Sequence, residues 1–151
     1  MANAVQAQLR FGPETYKVSP AATGANAVDG GRLVEFDAAN PGMIKLAVVD
    51  SQKWLGVALT LALPDNSSPA LTIPSGYPAV ILEDIPSEVG VAYVGTFDLT
   101  ATNAVLAQGD IVYCGAGGLI QKATTTGRPV GIVTEPGGIA ANGTGRVRLF
   151  Q

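Results

Sequence analysis

The chain has 151 residues, a formal net charge of −3 and no histidine. Charged residues make up 14% of it, well below the roughly 25% of an average globular chain. An acidic chain lacks the basic face that nucleic acid requires, so we expect no nucleic-acid partner. The 19 glycines and 10 prolines exclude a helix bundle, and the 47% of hydrophobic residues excludes wholesale disorder.

Segments that would place the chain in a membrane or a secretory pathway are not visible in the sequence. The longest apolar stretch, at residues 57–63, is interrupted by Thr60 and falls far short of the ~20 residues of a membrane-spanning helix. The first residues lack the basic and apolar blocks of a signal peptide. The single cysteine, Cys114, cannot form an internal disulfide, which suits a reducing compartment. We therefore expect no membrane partner and synthesis in a cytoplasm.

Residues 1–30 have the composition of an extended N-terminal arm. Leu9 and Phe11 are the only bulky apolar pair before Pro13, and Glu14–Val18 is a short alternating run. Two interpretations are open. The arm is either a disordered terminus or a segment that becomes ordered when it lies on a partner.

From residue 31 onward, short β-branched and aliphatic runs alternate with Gly, Pro, Asn and Asp. Such runs of four to eight residues between turn signals predict an all-β domain, a small barrel or sandwich, over residues 31–151. The predicted strands lie at residues 32–36, 43–49, 54–59, 79–83, 89–99, 111–113, 119–122, 130–133 and 146–150.

Two segments are expected to depart from the strand pattern. Residues 101–107 could form one short helix capped by Thr100 or Thr102, although an irregular connection is equally compatible with them. The Pro-rich stretch at about residues 63–78 contains too many prolines for a central strand, so we expect a surface insertion. Residues 70–73 could form an edge strand within it.

A weak internal repeat runs through the domain. In each copy a glycine precedes a strand, a second glycine precedes the next strand, and the third strand contains a central glycine. The first copy uses Gly31, Gly42 and Gly56 in this way, and the second uses Gly109, Gly118 and Gly131. Glycines supply positive φ at turns, so the pattern is that of a strand meander. It favours a small barrel built from two similar halves, although convergence on a common β pattern is an alternative.

Catalytic chemistry has little support. The missing histidine removes Ser/His/Asp and Cys/His catalysis and the commonest transition-metal ligand. The glycine-rich residues 115–118 lack the Gly-Lys-Ser/Thr ending of a phosphate-binding loop. Glu83, Asp84 and Glu88 are close enough in sequence for a glycosidase pair, but only nine scattered aromatic residues accompany them. We expect no enzyme activity, no cofactor and no metal.

Trp54 and the charged residues offer candidate contact sites. Trp54 begins an apolar strand and is either a plug in the core or an anchor at an interface, whereas Cys114 is expected to be a small buried apolar group. No basic residue lies between Lys53 and Lys122, while the chain beyond Lys122 is rich in arginine. This asymmetry is either solvated surface or head-to-tail complementarity between copies of the chain.

The order of several runs resembles a known family. The runs lie at residues 54–58, 91–99, 107–113, 124–126, 129–133 and 145–149, and they include a Gly-x-Phe-Asp-Leu, a Gly-Asp-x-Val-Tyr, a Gly-Ile and a Val-Arg-Leu element. This series resembles the small tailed-phage capsid cement (head decoration) proteins over about residues 31–63 and 88–150. The Pro-rich stretch and the long Ala-rich arm are departures from that family. A recombinase label that some members carry has no support here, because no nucleotide loop is present.

The resemblance implies a structural virion protein. Such a subunit binds the outer surface of an assembled phage head, contacts the major capsid protein, and is often a homotrimer. Its expected location is the virion, after synthesis in the bacterial host. Candidate capsid contacts lie in the arm at Leu9, Arg10, Phe11, Tyr16 and Lys17. Candidate oligomer contacts are Trp54, Arg146 and Arg148.

Three other functions remain open. The chain could be another virion part, such as a head-fibre base or a tail accessory. It could be a surface carbohydrate-binding β module, which predicts an exposed aromatic platform. An enzyme that uses carboxylates alone ranks last.

Overall fold

The computed structural model describes residues 13–20, 27–62, 87–122 and 126–150. Leu9, Arg10 and Phe11 lie outside the described residues. So do the predicted insertion at 63–78, with its edge strand, and the predicted strand at 79–83, with Glu83 and Asp84.

The described chain is all-β, as the sequence predicts, and contains one 3-10 turn, Ala116–Gly118, and ten strands. They are β1 Glu14–Val18, β2 Leu33–Phe36, β3 Met43–Leu46, β4 Trp54–Ala58, β5 Glu88–Ala92, β6 Thr96–Thr100, β7 Ile111–Cys114, β8 Ile120–Lys122, β9 Pro129–Val133 and β10 Thr144–Leu149. Most of them match predicted runs with boundaries shifted by one or two residues. The predicted strand at 89–99 is divided into β5 and β6, because Gly95 turns the chain with a φ of 128°.

Strands β1 to β5 form a closed barrel in the order β1-β3-β2-β4-β5. The strand β1 closes it, running parallel to β3 and antiparallel to β5. Residues Glu14–Val18, which the sequence assigned to an extended arm, are therefore a strand of the chain's own barrel. Their backbone already pairs on both sides, so they are not available to add to a sheet of another protein.

Strands β6 to β10 form a second sheet in the order β6-β10-β9-β7-β8. A parallel bridge joins Ala101, just after β6, to Ile120 at the start of β8. The same relation in the barrel joins Val18 to Ile44, where β1 meets β3. The two edge strands of the second sheet, β6 and β8, therefore meet through this single bridge, whereas β1 and β3 of the first sheet pair and close the barrel.

The pairing registers of the two sheets are the same. Val34 pairs with Leu46 on one side and with Gly56 on the other. In the second sheet Val112 pairs in the same way with Lys122 and Gly131. A bulge follows the central residue in both, between Val34 and Glu35 and between Val112 and Tyr113. We call β1–β5 the first unit and β6–β10 the second unit.

The repetition extends beyond the strands that the sequence pattern indicated. A pair of backbone hydrogen bonds joins Val28 to Ala62 beside the first unit, and an equivalent pair joins Leu106 to Ile139 beside the second. The prediction of two similar halves is therefore right about the repeat. It is wrong about what the repeat builds, because each copy forms a complete five-stranded sheet instead of half of one barrel.

Two apolar clusters hold the chain together. The inside of the first barrel contains inward residues such as Val34, Ala58 and Val91. Their chain neighbours Leu33 and Val57 point outward, because side chains alternate along a strand. These outward residues join the core of the second unit, so one continuous cluster fastens the two units to each other.

The candidate helix at residues 101–107 is absent. Ala101 bridges to Ile120, and the amide of Thr102 donates to the Ile120 carbonyl at 2.8 Å. Leu106 pairs with Ile139. Because backbone groups at both ends of the segment are bonded across the sheet, they are not available for a helix. Among the described residues, no helix has the length and apolar character needed to cross a membrane.

A groove at the junction of the two units

The candidate binding site is a groove of about 440 Å³ where the two units meet. Its lining is largely aromatic and aliphatic and comes from both units: Trp54, Leu55, Tyr93, Val94, Arg128 and Phe150. The positions are related by the repeat. Tyr93 and Val94 come directly after β5. Their equivalents in the second unit are Leu149, the last residue of β10, and Phe150, which follows it. Equivalent segments of the two units therefore meet at one groove.

Trp54 forms the inner wall of this groove. It is the first residue of β4 and is buried between the units, with 4% of its surface exposed. The guanidinium of Arg128 lies 4.9 Å from the ring centroid, a cation–π contact that covers the outer side. The indole Nε1 is buried and has no hydrogen-bond partner among the described residues. The core interpretation of Trp54 is therefore confirmed for the single chain.

The predicted contact residues of the arm are only partly described. Tyr16 and Lys17 lie in β1, with the side chain of Tyr16 half-buried and that of Lys17 exposed. The Tyr16 ring meets Phe36 edge to face, with centroids 5.4 Å apart. Its hydroxyl donates to the Glu14 carboxylate, and this bond raises the pKa of Tyr16 to about 12. These residues are integrated in the barrel wall.

Arg146 and Arg148 occupy the solvent-facing side of β10. The Arg146 side chain and its backbone amide both donate to one carboxylate oxygen of Glu135, at 3.0 and 3.1 Å. This hydrogen bond lowers the pKa of Glu135 and raises that of Arg146. Among the described residues, Arg148 makes no ion pair. Trp54, the third predicted interface residue, is buried in the single chain, whereas Arg146 and Arg148 face solvent.

A polar cluster marks one end of the first barrel. The Ser19 hydroxyl donates to the Asp37 carboxylate, which also accepts a 2.8 Å hydrogen bond from Asn40. Lys45 lies 3.9 Å from the same carboxylate. The hydrogen bond from Ser19, followed by that from Asn40, lowers the pKa of Asp37 to about 2. The cluster fastens the β2–β3 turn to the end of β1.

Two of the side chains with candidate chemistry, Cys114 and Glu88, lie in the described part of the chain. Cys114 is fully buried, and burial raises the pKa of its thiol to about 12, so the thiol stays protonated. Glu88 lies exposed at the start of β5. No group of three or more Cys, Asp or Glu side chains with metal-binding geometry occurs among the residues that the structure describes.

Sequence reasoning missed most of the groove. Tyr93, Arg128 and Phe150 did not stand out, because each looks like an ordinary strand-end residue. The repeat could have indicated part of the groove, because it places the residues that follow β5 and those at the end of β10 at equivalent positions. Neither the protein-family models nor the curated proteins with which the chain was compared gave a match.

Proposed function

We propose that this chain is an adhesion subunit of a tailed-phage head, one that binds the outer surface of the assembled shell. It would touch neighbouring capsomers of the major capsid protein and hold them together against the pressure of the packaged DNA. The resemblance described above supports this proposal, because its elements fall on β4 to β7, β9 and β10, the strands of the repeated units.

The observation that carries the proposal is the position of exposed apolar side chains on the β-sheet body. Val48 and Val49, each 50% exposed, lie in the loop before β4, and Leu59 and Leu61, 44% and 41% exposed, follow its end. Apolar contact surfaces therefore lie toward opposite ends of one strand. A subunit that bridges two neighbours needs this arrangement, since large exposed apolar patches mark contact sites.

The mechanism would be adhesion without bond chemistry. A standard contact buries roughly 800 Å² per partner, which by itself does not fix the affinity. If copies act as a homotrimer, docking of one copy raises the effective concentration of the others, so modest contacts become persistent. Binding to the assembled shell alone then stabilises the shell by mass action. No cofactor is needed for this role.

The proposal is tested with phage particles from which this chain's gene has been deleted. We expect them to lose DNA at lower temperature and in milder osmotic shock than complete particles, and added purified chain should restore resistance. Leu59→Asp with Leu61→Asp should fail to restore it, because a charge is placed in the contact. The control Val105→Asp changes a side chain that is 68% exposed on the second unit. Equal resistance of particles with and without the chain would exclude the cement role.

The arm is tested by a deletion that ends before β1, because removing residues 2–18 would also delete a barrel strand. Deleting residues 2–12 leaves β1 intact and removes Leu9, Arg10 and Phe11. We expect weaker binding to heads and an unchanged unfolding temperature. If binding is unchanged, the arm takes no part in the contact. Sedimentation with purified heads and with purified tails separates the cement role from that of a tail accessory.

The groove favours a second candidate, a carbohydrate-binding module. Trp54, Tyr93 and Phe150 line it, and aromatic side chains commonly contact sugar rings. The predicted exposed platform does not fit Trp54, which is 4% exposed. Because the chain has a single tryptophan, its fluorescence reports directly on ligand binding in the groove. A glycan array without signal, together with unchanged Trp54 fluorescence, would exclude this candidate.

A further inference from the structure

The two units differ in what covers their outward side chains. In the first unit Leu33, Val57 and Ala92 are neighbours across β2, β4 and β5, and we call them the first outer row. In the second unit the same positions across β7, β9 and β10 are Ile111, Ile132 and Arg148, the second outer row.

Leu33 and Val57 of the first outer row are buried against the second unit of the same chain, whereas Ala92 at the end of the row is half-buried. Leu33 is 0% exposed and Val57 is 1% exposed, and both belong to the second unit's core cluster. The corresponding Ile111 is 45% exposed, Ile132 is half-buried and Arg148 is exposed. The next position repeats the contrast, since Trp54 is buried where its equivalent Pro129 is exposed. The second outer row is thus an uncovered copy of a covered surface.

The first outer row packs on a surface of the second unit around Cys114 and Gly118, which we call the receiving surface. The equivalent surface of the first unit is exposed. A Cβ built on Gly118 would lie 2.4 Å from the carbonyl oxygen of Leu33, so the two backbones are in close contact. The equivalent Gly42 has nothing within 4 Å of such a Cβ. Likewise Cys114 of the receiving surface is 0% exposed, whereas its equivalent Phe36 is 42% exposed. Among residues 13–20, 27–62, 87–122 and 126–150, none covers the equivalent surface of the first unit around Phe36 and Gly42 as the first outer row covers that of the second unit.

We propose that a second copy of this chain binds head to tail, with the second outer row of one copy against the Phe36–Gly42 receiving surface of the next. Within one chain the first unit already sits on the second in this way, so the contact repeats an interface that the fold contains. A heterologous contact of this kind closes into a ring or continues as a filament, depending on the rotation between copies. The proposal does not depend on whether the chain binds a phage shell.

Apolar complementarity gives the contact its chemistry. Ile111 and Ile132 are cross-strand partners, so their side chains form one continuous apolar surface. Phe36 on the receiving surface is a large aromatic side chain, the type that dominates interface energetics. The second copy thus offers an apolar partner to the second outer row.

The test is sedimentation equilibrium of the intact chain over a range of concentrations. We expect the average mass to rise above the 15.3 kDa of one chain. Ile111→Asp should weaken association at least about tenfold, because it buries a charge in the contact. Val105→Asp is the matched control, since Val105 is more exposed than Ile111 and lies outside the row. A mass of one chain at every concentration would overturn the proposal.

A second variant distinguishes head-to-tail binding from a symmetric contact between two second outer rows. Gly42→Ala adds a Cβ to the receiving surface and should weaken association, just as a Cβ at Gly118 would collide with Leu33. Gly137→Ala is its control, because Gly137 has a φ of 86°, close to the 82° of Gly42, and equally open surroundings. If Ile111→Asp abolishes association while Gly42→Ala leaves it unchanged, the contact is symmetric and the head-to-tail proposal is wrong.

Discussion

The first and second units share strand order, register and a bulge, yet they bury their outward side chains differently. The first unit covers its outer row by packing on the second, and it also closes its barrel with β1. The second unit leaves its outer row open and meets its own edge only through the Ala101–Ile120 bridge. Two units of the same fold therefore expose different surfaces, because only the outer row of the first unit packs against the other unit.

The largest expected effect separates the two outer rows directly. Leu33→Ala removes a fully buried side chain and should cost about 2–5 kcal/mol of unfolding free energy. Ile111→Ala changes the equivalent exposed position and should stay within about 0.5 kcal/mol in the monomer. Urea unfolding at low protein concentration measures both. Equal losses at the two positions would contradict the difference in burial between the units.

The next effect tests the equivalence of the two units. A Cβ on Gly56 would lie 2.4 Å from the Ala92 carbonyl oxygen, and one on Gly131 would lie 2.3 Å from that of Arg148. Gly56→Ala and Gly131→Ala should therefore cost similar amounts, roughly 1–3 kcal/mol, because each forces two strands apart. Gly90→Ala is the control, since its nearest contacts would be ordinary ones at 3.6 and 3.7 Å. A large loss at one glycine alone would break the equivalence.

These residues also show how much the sequence could predict. The glycines before the strands and the alternating aliphatic runs indicated the β class, most strand positions and the repeat. The sequence pattern marked Gly56 and Gly131 as the central glycines of their strands. It did not show why glycine is needed there, because the carbonyls that approach them belong to the neighbouring strands β5 and β10. The sequence could not show that β1 closes a barrel, because that pairing joins residues distant along the chain. The sequence also left open whether Trp54 is a core residue or an interface anchor, because the residues that bury it lie far away along the chain.

A smaller effect on stability is expected at the groove, where Arg128 contacts the Trp54 ring. Arg128→Ala removes the cation above Trp54 and should cost about 0.5–1 kcal/mol, the usual contribution of an exposed cation–π contact. Trp54 should become more exposed, which a red shift of its fluorescence would report. Arg148→Ala is the control, because Arg148 belongs to the second outer row and does not line the groove. An unchanged Trp54 emission spectrum in Arg128→Ala would show that the contact does not persist in solution.

The smallest effect is the pH dependence that Asp37 contributes to the stability of the first unit. The pKa of Asp37 is lowered from 3.8 to about 2 in the folded chain. Its contribution to stability is therefore present above pH 3.8 and is lost as the pH falls toward 2. Asp37→Asn should flatten the fall of the unfolding temperature over this window. The second unit has Gly115 at the equivalent position, so no matching contribution is expected there.

The proposed role is that of an adhesive body whose exposed surfaces bind neighbouring subunits. Co-sedimentation of purified chain with heads that lack it, over a range of chain concentrations, tests this role. We expect saturation at a fixed ratio of this chain to the major shell subunit. A chain that stays in the supernatant at every concentration, while remaining folded, would contradict it.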